Sequence, residues 1–102
     1  MHPIIEERLP ELRELCRRYH VARLEMFGSA VKENFDPAGS DLDFVLEYLP
    51  EAKEFYPDVY FDLKAELEAL FNRPVDLVMQ TAIRNPYFQA ELEETKVPVY
   101  AA

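Results

Sequence analysis

Apolar residues Ile5, Leu9, Leu12, Cys16 and Tyr19 recur at steps of four and three, the spacing of one helix face. Pro10 falls inside that run, so the helix begins there or is kinked there, and it ends near residue 20. Val21–Phe27 then reads as a short buried strand, with Val21, Leu24, Met26 and Phe27 apolar. Gly28-Ser29 ends the strand and opens a short helix. Residues 34–40 carry the Asn, Asp, Pro and Gly of a turn, and Leu42–Tyr48 is a second strand. Residues 49–57 hold two prolines and read as a loop. Leu63, Leu67, Leu70 and Phe71 mark a second amphipathic helix that stops before Pro74. Residues 74–79 form a third strand around Val75, Leu77 and Val78. Asn85-Pro86 reads as a cap and a first-turn proline, opening a helix through about Glu94. Residues 97–100 read as a short extended tail.

The order is helix, strand, short helix, strand, helix, strand, helix. It predicts an α/β (α+β) fold, a small mixed three-stranded sheet with alternating helices. The 102 residues suit one domain spanning residues 1–102. Apolar residues make up 49% and charged residues 30%, a globular balance. The formal net charge is −9. Phosphate-backbone recognition relies on Lys and Arg, so this balance argues against direct nucleic-acid binding. No apolar run approaches the roughly 20 residues of a membrane span. The N-terminus lacks a signal pattern, which points to the cytoplasm. Cys16 is the single cysteine, so an internal disulfide and a thiolate-built metal cluster are excluded.

Only two glycines occur, against an average usage of about 7%. Gly28 follows the first strand, and Gly39 lies two residues before Asp41. Alternate strand residues share a face, so Asp41 and Asp43 project together, their Cα atoms roughly 6.5 Å apart. Leu42, Phe44, Val45 and Leu46 around them are apolar. Two like charges beside a core are costly without a cation between them. Hard oxygen ligands suit Mg²⁺, which shares its shell with water and phosphate. Asp76 sits alone in the apolar run Val75-Asp76-Leu77-Val78. If the third strand pairs with the second, Asp76 joins the cluster. Three convergent carboxylates fit a two-ion site, with ions about 3.5–4 Å apart. A glycine at a strand-to-helix turn lets backbone approach a phosphate. The Ser29 hydroxyl adds a donor, and Lys32 reaches a phosphate as a point charge.

Apolar-Gly-Ser, Asp-x-Asp-apolar and a later apolar-Asp-apolar together resemble the nucleotidyltransferase superfamily of the DNA polymerase beta type. The small size, "RRYHVARLEMFGSA" and "NPYFQAELEETKVPVY" resemble its minimal MNT branch, commonly encoded beside a HEPN-domain protein. The resemblance implies that Gly28 and Ser29 form the phosphate-binding turn, with Lys32 as a further nucleotide contact. It implies that Asp41 and Asp43 are the metal-binding pair. It makes Asp76 the third carboxylate, acting as base or metal ligand. It further implies Mg²⁺-dependent transfer of AMP from ATP to a hydroxyl, a tyrosine of a HEPN toxin, by a protein acting as antitoxin. Assembly as a homo- or hetero-oligomer stays open. The family often reads Gly-Ser-x-Ala-Arg-Gly, whereas this chain has Gly28-Ser29-Ala30-Val31-Lys32-Glu33. Lys loses the bidentate fork of Arg on phosphate.

Blander readings stand beside these. Ser29 caps a helix equally well, Lys32 suits a solvated surface, and Asp76 suits an edge strand. Cys16 reads as core. Tyr87, Phe88 and Tyr100 read as packing residues, and Glu66, Glu68 and residues 91–94 as solvated helix faces. The competing function is a contact-only antitoxin whose acidic surface covers a basic partner.

Overall fold

The computed structural model describes residues 2–31, 36, 39 and 41–102, with the side chains of residues 29 and 53–56 outside that description. The N-terminal helical segment is divided at residues 7 and 8, giving α1 (Pro3–Glu6) and α2 (Leu9–Arg18). Pro10 lies in the first turn of α2, where its missing N–H costs no hydrogen bond. Then come β1 (Val21–Phe27), a 3₁₀ turn over Gly28–Val31, and β2 (Leu42–Tyr48). A second 3₁₀ segment, Pro50–Phe55, leads directly into α3 (Tyr56–Phe71). The stretch expected as a loop over residues 49–57 is therefore largely helical, because Pro50 and Pro57 both fall in first turns, where proline is tolerated. β3 (Val75–Met79) and α4 (Pro86–Thr95) follow. His20 (φ 60°) and Asn72 (φ 52°) take the left-handed conformation just past α2 and α3, a common way to end a helix. Asn85 Oδ1 caps α4 by accepting from the backbone N–H groups of Tyr87 (2.9 Å) and Phe88 (3.3 Å).

Among the described residues the sheet has four strands, not three. The expected extended tail is β4 (Val97–Ala101), paired antiparallel to β1. The strand order is β3-β2-β1-β4, with β1 and β2 antiparallel and β2 and β3 parallel. A parallel pair needs a crossover, and α3 supplies it. Pro98 pairs with Glu25 across a register irregularity in β1. Its ring removes a ladder donor, which an edge strand tolerates.

Alternation along β2 sorts the two faces of the sheet. Leu42, Phe44 and Leu46 are fully buried. They stand in register with Leu24 and Met26 of β1 and with Val75 and Leu77 of β3. α2 adds Leu12, Leu15 and Cys16 to this core, and α3 adds Leu63, Leu67 and Phe71. Each large apolar side chain buried there contributes about 1.5–3 kcal/mol. Arg18 and Glu66 bridge α2 and α3 at 3.2 Å. Both outer strands are tied to these helices by side chains. The Tyr60 hydroxyl donates to the Leu77 carbonyl (2.6 Å) and Glu68 Oε2 accepts from the Val75 N–H (3.0 Å). Arg13 Nε donates to the Val99 carbonyl (3.2 Å). Glu68, expected on a solvated face, thus serves the sheet.

The odd-numbered residues of β2 face the other side. Val45 is buried there, and its register partner Glu25 is only 5% exposed. Glu25 is matched by Lys96 Nζ at 3.2 Å, which also meets Glu93 at 3.1 Å. The hydrogen bond to Glu93, followed by the hydrogen bond and charge of Glu25, raises the Lys96 pKa against the lowering effect of burial. α4 lies along this side, with Phe88 edge-on to Phe27 at 5.7 Å between ring centroids and Leu92 buried.

Candidate active site

Strand direction gathers the three motifs. β2 and β3 are parallel and start at the same end of the sheet, where antiparallel β1 finishes. Asp43, second in β2, is in register with Phe27, the last residue of β1, and with Asp76, second in β3. Paired residues on neighbouring strands project to the same face, with strands about 4.8 Å apart. Phe27, Asp43 and Asp76 therefore form a row across one end of the sheet, on the side opposite α2 and α3. Asp41 stands just before β2 and is exposed, Asp43 is half-buried, and Asp76 is exposed on the edge strand.

The charge of this corner registers on Asp43. Its pKa is raised above the ordinary carboxylate value, first by burial, then by the negative charges of Asp76 and Asp41. Among the described residues, no group of three His, Cys, Asp or Glu side chains is already gathered as a metal's ligand set. The corner is an open acidic site and not a closed cage. Mg²⁺ takes one or two protein carboxylates and keeps water and substrate phosphate for the rest. The donor set, oxygen only and anionic, fits such an ion.

Gly28 sits at the close approach of β1's end to this corner, with φ at +74°. A Cβ placed on it would overlap Asp43 Oδ2. The glycine expected at the turn is thus required twice, by backbone conformation and by the neighbouring carboxylate. Ala30, 2% exposed, anchors the 3₁₀ turn into the core. The backbone of Ser29 lies in that turn, while its hydroxyl lies outside the described residues, as does Lys32. The aromatic expectations divide. Tyr100 packs against the core, but Tyr87 is 85% exposed and is no packing residue. Phe88 touches Phe27 beside the acidic row. Sequence spacing gave no signal for that neighbour, because α4 and β1 are far apart in the chain.

Residues 9–99 match the family described as "Nucleotidyltransferase domain". A protein of Methanocaldococcus jannaschii named "putative protein adenylyltransferase" is 33% identical over 85 residues, which cover 83% of each chain. A solved structure of a "putative minimal nucleotidyltransferase" superposes with a TM-score of 0.74 at 23% identity, covering 92% of this chain and 91% of that one. A chain from the complex of tri-AMPylated Shewanella oneidensis HEPN toxin with MNT antitoxin superposes with a TM-score of 0.62 at 14% identity, covering 95% and 72%. These two likenesses show a shared fold. The family match runs from the first residue of α2 into β4 and includes each of the three aspartates, and the chain belongs to the nucleotidyltransferase domain family.

Proposed function

We propose that this protein transfers AMP from ATP to a tyrosine hydroxyl of a HEPN-domain partner and so acts as its antitoxin. The observation that carries the reading is the row Asp43–Asp76 with Asp41 alongside, walled by a glycine that leaves room for the Asp43 carboxylate. The name of the M. jannaschii relative and the AMPylated toxin in the structural neighbour support the same direction. Asp41 and Asp43 would hold Mg²⁺, with Asp76 completing the set for a second ion. When bound, the cations would offset triphosphate charge and acidify the acceptor hydroxyl. Gly28 and Ser29 would cradle the outgoing phosphates, and Lys32 would add a positive charge beside them.

In the transfer, the acceptor oxygen attacks the α-phosphorus and a P–O bond forms. The α–β bridging bond breaks and pyrophosphate leaves. Asp76, exposed at the sheet's edge, would take the acceptor's proton. The test is to co-express the chain with the protein encoded beside it and weigh that neighbour intact. The expected result is a mass increase of one or more AMP units, absent with Asp43→Asn. An unmodified neighbour, or equal modification with Asp43→Asn, overturns the reading.

A further inference from the structure

A cavity of about 160 Å³ opens beside the acidic row, lined by Phe27, Gly28, Phe88, Glu91, Leu92 and Thr95. We propose that it is the nucleobase subsite, with Phe88 as the stacking wall and Glu91 as the acceptor for an exocyclic amino group of the base. The inference rests on the reading that the acidic corner takes a nucleoside triphosphate.

Continuity supports it. Gly28 belongs both to the cavity and to the contact with Asp43. Phosphates held at that corner leave the ribose and base to continue into the adjoining space. The lining is suited to a flat ring. Phe88, Glu91, Leu92 and Thr95 are spaced i, i+3, i+4 and i+7, one face of α4. Phe27 and Phe88 meet edge-on at an interplanar angle of 69°, and Leu92 is 4% exposed.

Polarity along the cavity then orders the ligand. Phe88 stands by Phe27, level with Asp43, while Lys96, directly after Thr95, is paired to Glu25, two residues back along β1. The helix therefore leads away from the aspartates, and its polar groups, Glu91 and Thr95, lie beyond Phe88. Thr95 donates its hydroxyl hydrogen to the Glu91 carbonyl (2.8 Å), so toward the cavity it offers lone pairs. A carboxylate is likewise acceptor-only. Beyond Phe88 the cavity thus presents acceptors, and it matches a base whose amino edge points away from its phosphates. A tyrosine ring fits less well, because its reacting hydroxyl must point toward the aspartates and not toward Glu91.

The test measures equilibrium binding of ATP and of purine riboside triphosphate, which lacks only the amino group, with Mg²⁺ present. Wild type should bind ATP about tenfold more tightly than the des-amino nucleotide, the worth of one hydrogen bond to a charged group. Glu91→Ala should erase that preference. Phe88→Leu keeps apolar bulk without a π-face, and should weaken both nucleotides about tenfold, as loss of one stacking partner does, with the thermal midpoint close to wild type. Equal affinity of wild type for the two nucleotides, or an unchanged Kd in Phe88→Leu, overturns the subsite while leaving the transferase reading in place. Failure of wild type to bind either nucleotide overturns both.

Discussion

Gly28 and Asp43 are mutually fitted: the space a side chain would fill at position 28 is occupied by the Asp43 carboxylate. Gly28 also has a φ of +74°, which costs an L-residue roughly 1–2 kcal/mol. Gly28→Ala should therefore lower stability by about 1–2 kcal/mol and should abolish transfer out of proportion to that loss, because Asp43 must move. Thermal unfolding and nucleotidyl transfer measured on the same preparation check this. Full activity in a destabilised Gly28→Ala would contradict it.

Asp43 carries a cost that the ion-free protein must bear. Its pKa is raised from the ordinary 3.8 by burial and by its two acidic neighbours. An acid that holds its proton more tightly when folded loses stability as pH rises from the unfolded value through the folded one. In chelator at pH 7, Asp43→Asn should melt above wild type, and the gap should close at about pH 3, where both states are protonated. Added Mg²⁺ should raise the wild-type midpoint more than the variant's. A wild type that out-melts Asp43→Asn in chelator at pH 7 would refute this.

Lys96 balances a carboxylate that is otherwise buried. Glu25 is 5% exposed and Lys96 Nζ stands 3.2 Å from it. Lys96→Met leaves that charge without its cation, at a cost of about 3 kcal/mol. Denaturant unfolding reads this directly. Glu25→Gln in the Lys96→Met background should recover most of the loss, since the amide needs no counter-charge.

Sequence reading succeeded where local pattern decides structure and fell short where partners are distant. β1 ends at a glycine and β2 begins after turn chemistry, and alternation or continuous apolarity names them. The glycine–aspartate spacing was legible because each residue type answers one local demand. β4 was not legible. Its five residues include Pro98, and only pairing with β1 makes them a strand. The helical character of residues 50–56 was hidden for a similar reason, since a proline in a first turn and a proline in a loop look the same. The Phe27–Phe88 contact depends on where α4 docks, which no spacing encodes.

Catalysis and simple contact can be separated in cells. Asp41→Ala with Asp43→Ala removes two carboxylates at an open end of the sheet and leaves the α2–α3 core intact. If transfer silences the partner, this double variant should still form the complex yet fail to rescue growth. Rescue equal to wild type would assign neutralisation to contact.

The side-chain ties from α2 and α3 onto the outer strands have a consequence for how the protein meets others. Tyr60, Glu68 and Arg13 each occupy a backbone group on β3 or β4. A foreign strand seeking to extend the sheet at those points would have to displace them, losing about 1 kcal/mol per hydrogen bond. The domain is in this sense self-terminating. Its own helices set the limits of its sheet, which discourages fibrillar growth and leaves side-chain surfaces, rather than exposed backbone, as the medium of recognition.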